Sequence, residues 1–227
     1  MSQHSMSVSQ AVLSRRSIRA FRPDPVDTET LKSVIETACW APSGGNLQPW
    51  RLRVATGATL AQITERVTSQ AKQVPAGESH EYEIYPRPLS SPFRDRRAAV
   101  GEALYRSIEV ARDDAEGRAK QFIENYRAFG APCVIFAYVR RDHGAPQWSD
   151  MGMLLQTLML LLREQGLDSC PQEAWSRFAA TVDAILLPPP EEMLFAGLAV
   201  GYRDADAPIN QFTPPRAPLA EVASFHD

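Results

Sequence analysis

Apolar residues recur at helical spacing along most of the chain and close up into unbroken runs at only a few places. VSQAVLSRRS (8–17) has the pattern of a short helix that stops at arginines. FRPDPVD then forces extended chain, because a residue preceding proline avoids the α region. TETLKSVIETACWA puts Leu31, Val34, Ile35 and Ala38 on one face and opens with a loose capping box at Thr28. After Pro42 the stretch SGGN predicts a loop. WRLRVATG (50–57) alternates like a strand, and Gly57 turns it into the helical ATLAQITERVTSQAK.

The texture changes over residues 74–93. VPAGESHEYEIYPRPLSSPF holds four prolines, two tyrosines and no helical period, which predicts a lid or arm. RDRRAAVGEALYRSIEVAR (94–112) and GRAKQFIENYRAF (117–129) predict amphipathic helices. APCVIFAYVRR predicts a buried strand, 148–165 a helix buried on most sides, and GLDSC a short strand. RFAATVDAILLPPP is a helix stopped by prolines, and EMLFAGLAVGY is a further strong strand. The tail, 203–227, is too irregular for a helix and too apolar to float free, so it is expected to pack on a partner subunit. With no repeat and no clear linker, strands interleaved with helices predict one α+β or α/β sandwich domain over 1–227.

Bulk composition narrows the function. The chain has 227 residues, 44% of them hydrophobic, and a formal net charge of −3, values of a globular protein without the broad basic surface that nucleic acid demands. MGMLLQTLMLLL (151–162) is too short for a membrane span, which takes about 20 residues. The N-terminus has no apolar signal core, so a cytoplasmic protein is expected. Cys39, Cys133 and Cys170 form no close pair, and His4, His80, His143 and His226 are scattered. Neither zinc nor a disulfide framework is expected, and the thiols are expected to pack as small apolar groups.

Three stretches carry possible chemistry. Arg15, Arg16, Ser17 and Arg19 sit where helix gives way to extended chain, and guanidinium forks with a hydroxyl suit a phosphate. Taken alone they equally suit a solvated basic helix end. APSGGNLQPW (41–50) is stiffened by prolines, relieved by Gly44 and Gly45, and offers Ser43, Asn46 and Gln48 as neutral polar groups; alone it is equally a structural turn. GLDSCPQEAW (166–175) runs from a strand end into a helix start, where free backbone N–H groups can meet a ligand, or simply begin a helix.

In this order and combination, from about residue 10 to the end, these motifs resemble the nitroreductase family of FMN-dependent NAD(P)H oxidoreductases. The segment EYEIYPRPLSSPFRDRR is similar to the subgroup that reduces nitrobenzoates and related nitroaromatics. The resemblance implies a three-layer sandwich with a mixed, mostly antiparallel sheet, in an intertwined homodimer with active sites at its interface. It implies that Arg15, Arg16, Ser17 and Arg19, with Arg216 from TPPRAP, hold the phosphate, ribityl chain and pyrimidine edge of FMN. Pro42, Ser43, Gly44, Asn46 and Gln48 are expected to reach the flavin from the other subunit. Pro171, Gln172, Glu173 and Ala174 match the loop along the ring, and Asn125 is a candidate for the pyrimidine edge. Ala174 and Trp175, where many relatives have glycine, are expected to narrow the pocket.

No side chain is implied to be catalytic and no metal is implied. The flavin would take a hydride from NADH or NADPH and pass electrons to a small aromatic acceptor in ping-pong fashion. Tyr82, Tyr85, Phe93 and Arg94 of the lid are expected to select the acceptor, the arginine pairing with an acidic one. Quinone or enone reduction, dehalogenation, and a flavin-binding module without turnover stand as alternatives.

Overall fold

A computed structural model describes residues 6–78 and 81–226; His4 and His80 lie outside the described residues. The first helix, α1 (Val8–Ser14), opens with a reciprocal capping box between Ser7 and Gln10 and stops at Arg15, where the backbone becomes extended. For α2 (Thr28–Ala38) the cap is Asp27, whose carboxylate accepts the Thr30 N–H at 2.8 Å, one residue before the expected start. A 3-10 turn, Gly44–Asn46, leads to β1 (Arg51–Thr56), and α3 (Gly57–Gln73) follows directly.

After the irregular segment comes α4 (Phe93–Ser107), so Phe93 is a helical residue and not part of a loop, and the helix ends short of residue 112. The next helix, α5 (Ala115–Ile123), does not run on to Phe129 as its pattern suggests. It tightens into 3-10 turns over Glu124–Gly130, where Ala128 and Phe129 have φ of 51° and 55° and break the helix. Then come β2 (Cys133–Arg140), α6 (Ala145–Glu164), β3 (Asp168–Gln172), a 3-10 helix Glu173–Phe178, α7 (Ala179–Leu186) and β4 (Glu192–Gly201). The tail contains two single-turn helices, α8 (Pro208–Gln211) and α9 (Leu219–Val222), contrary to the irregularity expected of it. Pro208 at the head of α8 presets the helical φ and gives up an N–H that has no partner there.

The sheet order is β1-β2-β4-β3 and every pairing between these strands is antiparallel. The mixed character expected of it is limited to one parallel bridge, Ser17 to Ser169, on the free edge of β3. Alternation in β2 sorts the core. Val134, Phe136 and Tyr138 face one cluster with α3, α7 and Trp175, while Cys133, Ile135, Ala137 and Val139 face another with α2 and α6. Helices on both faces explain why β2 reads as a continuous apolar run.

In β4 the pairing with β2 steps from Ala196 to Leu194, leaving Phe195 bulged out of register. The bulge reverses the alternation: Leu194 faces the first cluster before it and Ala199 after it. On α6, Met151, Leu154, Leu158 and Leu162 are fully buried, whereas Gly152 and Met153 are exposed, so one stripe of this helix lacks the cover expected on most sides. Among the described residues no helix is long and apolar enough to cross a membrane.

Candidate active site

The expected site residues fall into two neighbouring groups and one separate loop. In the first group the extended segment after α1 lies on the free edge of β3, with the Ile18 N–H donating to the Ser169 carbonyl at 3.1 Å. The opposite side of this segment is held by the tail. Asn210 accepts the Arg19 N–H through Oδ1 at 2.8 Å and donates through Nδ2 to the carbonyls of Ala20 and Asp204, both at 2.8 Å. One side-chain amide thus supplies the hydrogen bonds that a neighbouring strand would otherwise provide.

Arg15, Arg16 and Arg216 converge here. The Arg15 guanidinium is held below its ordinary pKa, first by partial burial and then by the positive charges of Arg216 and Arg16. Arg15 and Arg19 also act on the buried Cys170 thiol, which Ser17 approaches; burial nonetheless raises that thiol to about 11. Arg16 donates to Thr213 and to the Leu13 and Arg15 carbonyls, Arg19 to the Ser17 carbonyl, and Arg216 to those of Pro214 and Pro215. Among the described residues none of these four arginines has a carboxylate partner. Crowded, partly desolvated guanidinium groups without counterions fit an anion such as the FMN phosphate.

The position of β3 is fixed by Asp168, a buried carboxylate that sequence inspection does not single out. It accepts from Arg203 at 2.6 Å through both oxygens and from Arg163 of α6 at 2.9 Å. Only the Asp168 side chain is deeply buried, at 2% exposure, with the two arginines reaching it from the surface.

At the far end of β3, Pro171, Gln172, Glu173 and Ala174 line a cavity of about 660 Å³ together with Asn125, Phe122 and the segment from Glu83 to Leu89. Gln172 donates to the Asn125 carbonyl at 2.7 Å, which brings the ring-edge candidate to the strand. Burial raises the Glu173 carboxyl above its ordinary range. Ser169 to Gln172 spans roughly 10 Å of strand, so one short element joins the cation cluster to the cavity. A second cavity of about 670 Å³ opens between α3 and α5 and shares only Phe122 with the first.

Trp175 does not narrow the cavity. It is fully buried in the core against Tyr126 and Phe136, its indole N–H donating to Gln172 at 3.2 Å, and Ala174 alone takes the cavity position. Of the four lid candidates, only Tyr85 lines the cavity. Tyr82 is an anchor: its hydroxyl donates to the carbonyl of bulged Phe195, and its ring packs on Phe195 and Trp148. Phe93 projects into solvent, and Arg94 pairs with Asp95 at 2.9 Å away from the cavity wall. The lid's first part is also tied to the body by Arg141, which pairs with Glu81, and by Arg177, which donates to the carbonyls of Pro75 and Ala76.

The remaining candidates stand apart. Gly44 donates its N–H to the buried Asp150 of α6 at 3.2 Å, Gln48 N–H donates to Ser43 Oγ, and the Gln48 amide folds back on Asn46. Pro42, Gly44, Asn46 and Gln48 are exposed, and no hydrogen bond or ion pair among the described residues joins them to the arginines within one chain. Cys39 is exposed, not packed as expected, whereas Cys133 and Cys170 are buried; all three are free.

An antiparallel sheet covered on both faces, with a cation cluster at its edge and an adjoining cavity, defines the class as an α+β protein. The sequence pattern of the Nitroreductase family matches residues 12–202, and the chain belongs to that family. It is similar to nitroreductase NfnB of Mycolicibacterium smegmatis, 36% identical over 93% of this chain and 89% of that one. The 4-nitrobenzoate reductase of Pseudomonas putida is 32% identical over 90% of this chain and 89% of its own length. In three dimensions it matches the FMN and NADPH-dependent nitroreductase NfnB of Sphigopyxis sp. strain HMH with a TM-score of 0.95 and 48% identity, over 97% of this chain and 99% of that one.

Proposed function

We propose that the protein is an FMN-dependent NAD(P)H oxidoreductase that reduces nitroaromatics and related electrophilic aromatic or quinone acceptors. The observation that carries it is the set of four uncompensated arginines at one end of β3 and the 660 Å³ cavity at the other. Arg15, Arg16, Arg19 and Arg216, with Ser17, hold the cofactor phosphate. Residues 171–174 and Asn125 border its ring. When bound, FMN supplies hydride acceptance from the nicotinamide and electron delivery to the acceptor that replaces it.

The chain's own part is binding, orientation and exclusion of water. Asn210 keeps the arginine-bearing backbone in place, and Asp168 fixes the strand beneath it. Tyr82 pins the lid so that residues 83–89 roof the cavity. Glu173, whose carboxyl burial raises above its ordinary range, would stand beside the ring.

The working unit is one domain with a lid at 74–93 and an arm at 203–227, assembled as a homodimer in the cytoplasm. The dimer is supported by the apolar side chains one chain leaves exposed: Val8 and Leu13 on α1, Trp40 and Leu47 flanking the 42–46 loop, and Met153 on α6. The exposed loop of Pro42, Ser43, Gly44, Asn46 and Gln48 then meets the flavin of the partner. The unpaired cysteines are in keeping with a reducing compartment.

The test is an absorbance spectrum of the purified protein, followed by anaerobic addition of NADPH and, separately, NADH. Flavin bands that bleach with a nicotinamide and return with a nitroaromatic are expected. Bands that never bleach mark a binding role without turnover, and absence of bands after reconstitution with FMN removes the flavin assignment.

A further inference from the structure

Three arginines line the cavity; one has a carboxylate partner and one is anchored on backbone carbonyls. Arg87 pairs with Glu83 at 3.3 Å, and Arg177 donates to the carbonyls of Pro75 and Ala76 at 2.8 and 2.7 Å. The third, Arg97 of α4, stacks its guanidinium 4.2 Å from the centre of the Tyr85 ring. Among the described residues it has no hydrogen-bond or ion-pair partner. Stacking on an aromatic face fixes the plane of a guanidinium and leaves its edges, with their forked N–H groups, free for an oxyanion.

The carboxylates in the same wall do not claim it. Glu83 is taken by Arg87, and among the described residues Glu173 forms no ion pair with Arg97. Arg94, one turn earlier on α4, is neutralised by Asp95 and lies off the wall.

We infer that Arg97 is the specificity-determining residue of the cavity, reading an anionic group on the ligand that shares it with the flavin; the inference rests on the flavoenzyme reading above. Two ligands carry such a group: an aromatic acceptor with a carboxylate, and NADPH with its 2′-phosphate. In both, a bidentate contact to Arg97 adds affinity for the member of a pair that bears the carboxylate or 2′-phosphate over the analogue that lacks it. Tyr85 acts through Arg97 as a positioning residue, presenting the guanidinium toward the cavity.

Equilibrium binding separates this from turnover. Titration calorimetry on the oxidised, FMN-loaded protein would compare 4-nitrobenzoate with 4-nitrobenzamide, and NADP+ with NAD+, in wild type, Arg97→Gln and Arg97→Lys. At least one ligand bearing the extra anion is expected to lose about tenfold in affinity in Arg97→Gln while the analogue lacking that anion changes less than about threefold, as removal of a charge-assisted hydrogen bond requires. Arg97→Lys should recover part of the loss, and the charged preference should shrink as salt rises. Which pair responds identifies the source of the anion, carboxylate or phosphate.

Equal losses for both members of a pair, no change in either pair, or a selective loss in Arg94→Gln instead would overturn the assignment. FMN affinity is measured on every variant. If wild type binds no FMN, the flavoenzyme reading fails by itself, and the same four titrations on the flavin-free chain still decide for or against Arg97.

Discussion

Gly197 sits in the middle of β4 because Trp175 lies across it. A Cβ there would fall 2.4 Å from the indole Cδ1, and the indole cannot retreat, being fully buried against Phe136 and Tyr126. Gly197→Ala is therefore expected to lower stability by about 1–3 kcal/mol, read by chemical denaturation, with a shift in tryptophan fluorescence. Gly197 pairs with Gln172 in β3, so the strain is transmitted to the cavity edge.

The thiols make a second prediction at this scale. Burial raises Cys170 to about 11 and Cys133 to about 12, while Cys39 is exposed. Native protein should react with a thiol reagent at one site quickly and at two more only after unfolding. The folded thiols keep their protons above the ordinary cysteine value of 9.0, so their contribution to stability is full below pH 9 and is lost as pH rises toward 11–12.

Between elements, the buried Asp168 joins α6 through Arg163, the end of β4 through Arg203, and β3 through its own backbone. Removing it strands two guanidinium groups at the point where the Ser17 bridge attaches. Asp168→Ala is expected to cost about 3 kcal/mol and to weaken FMN binding as the edge loosens; unchanged stability in denaturant titration would count against that role. The bulge at Phe195 works on the same scale. It frees a carbonyl from the ladder, and the Tyr82 hydroxyl takes that carbonyl, so an irregularity in the sheet becomes the attachment point of the lid.

At the scale of the whole molecule the tail is the long-range fastener. Asn210 and Arg216 meet residues near position 19 and Arg15, and Arg96 of α4 pairs with Glu221 of α9. A chain ending at Arg203 is expected to bind FMN at least tenfold more weakly, since it loses Arg216, proposed above to hold the phosphate, and the clamp on the arginine segment. In the proposed homodimer it should also sediment as a monomer. A dimer of undiminished FMN affinity would show that the tail does neither.

The strands and most helices were legible because each is written in local pattern, such as the unbroken apolar run of β2 and the helical face of α2, while the arginines before proline and the Pro-Gln-Glu-Ala stretch after a short strand marked candidates for the site. Composition and spacing also determined that the chain folds as interleaved helices and strands, while the crowded arginines at its start left an anion site and a solvated helix end both open. Tertiary structure alone decided which charges are neutralised and which are left to a ligand. Arg94 and Arg97 are equivalent in sequence, yet one meets Asp95 and the other faces the cavity over Tyr85. The roles of Asp168, Asn210 and Trp175 were likewise hidden, because burial and pairing arise between segments up to about 190 residues apart in the chain. A one-dimensional pattern records which face a residue presents, but not what the fold brings against it.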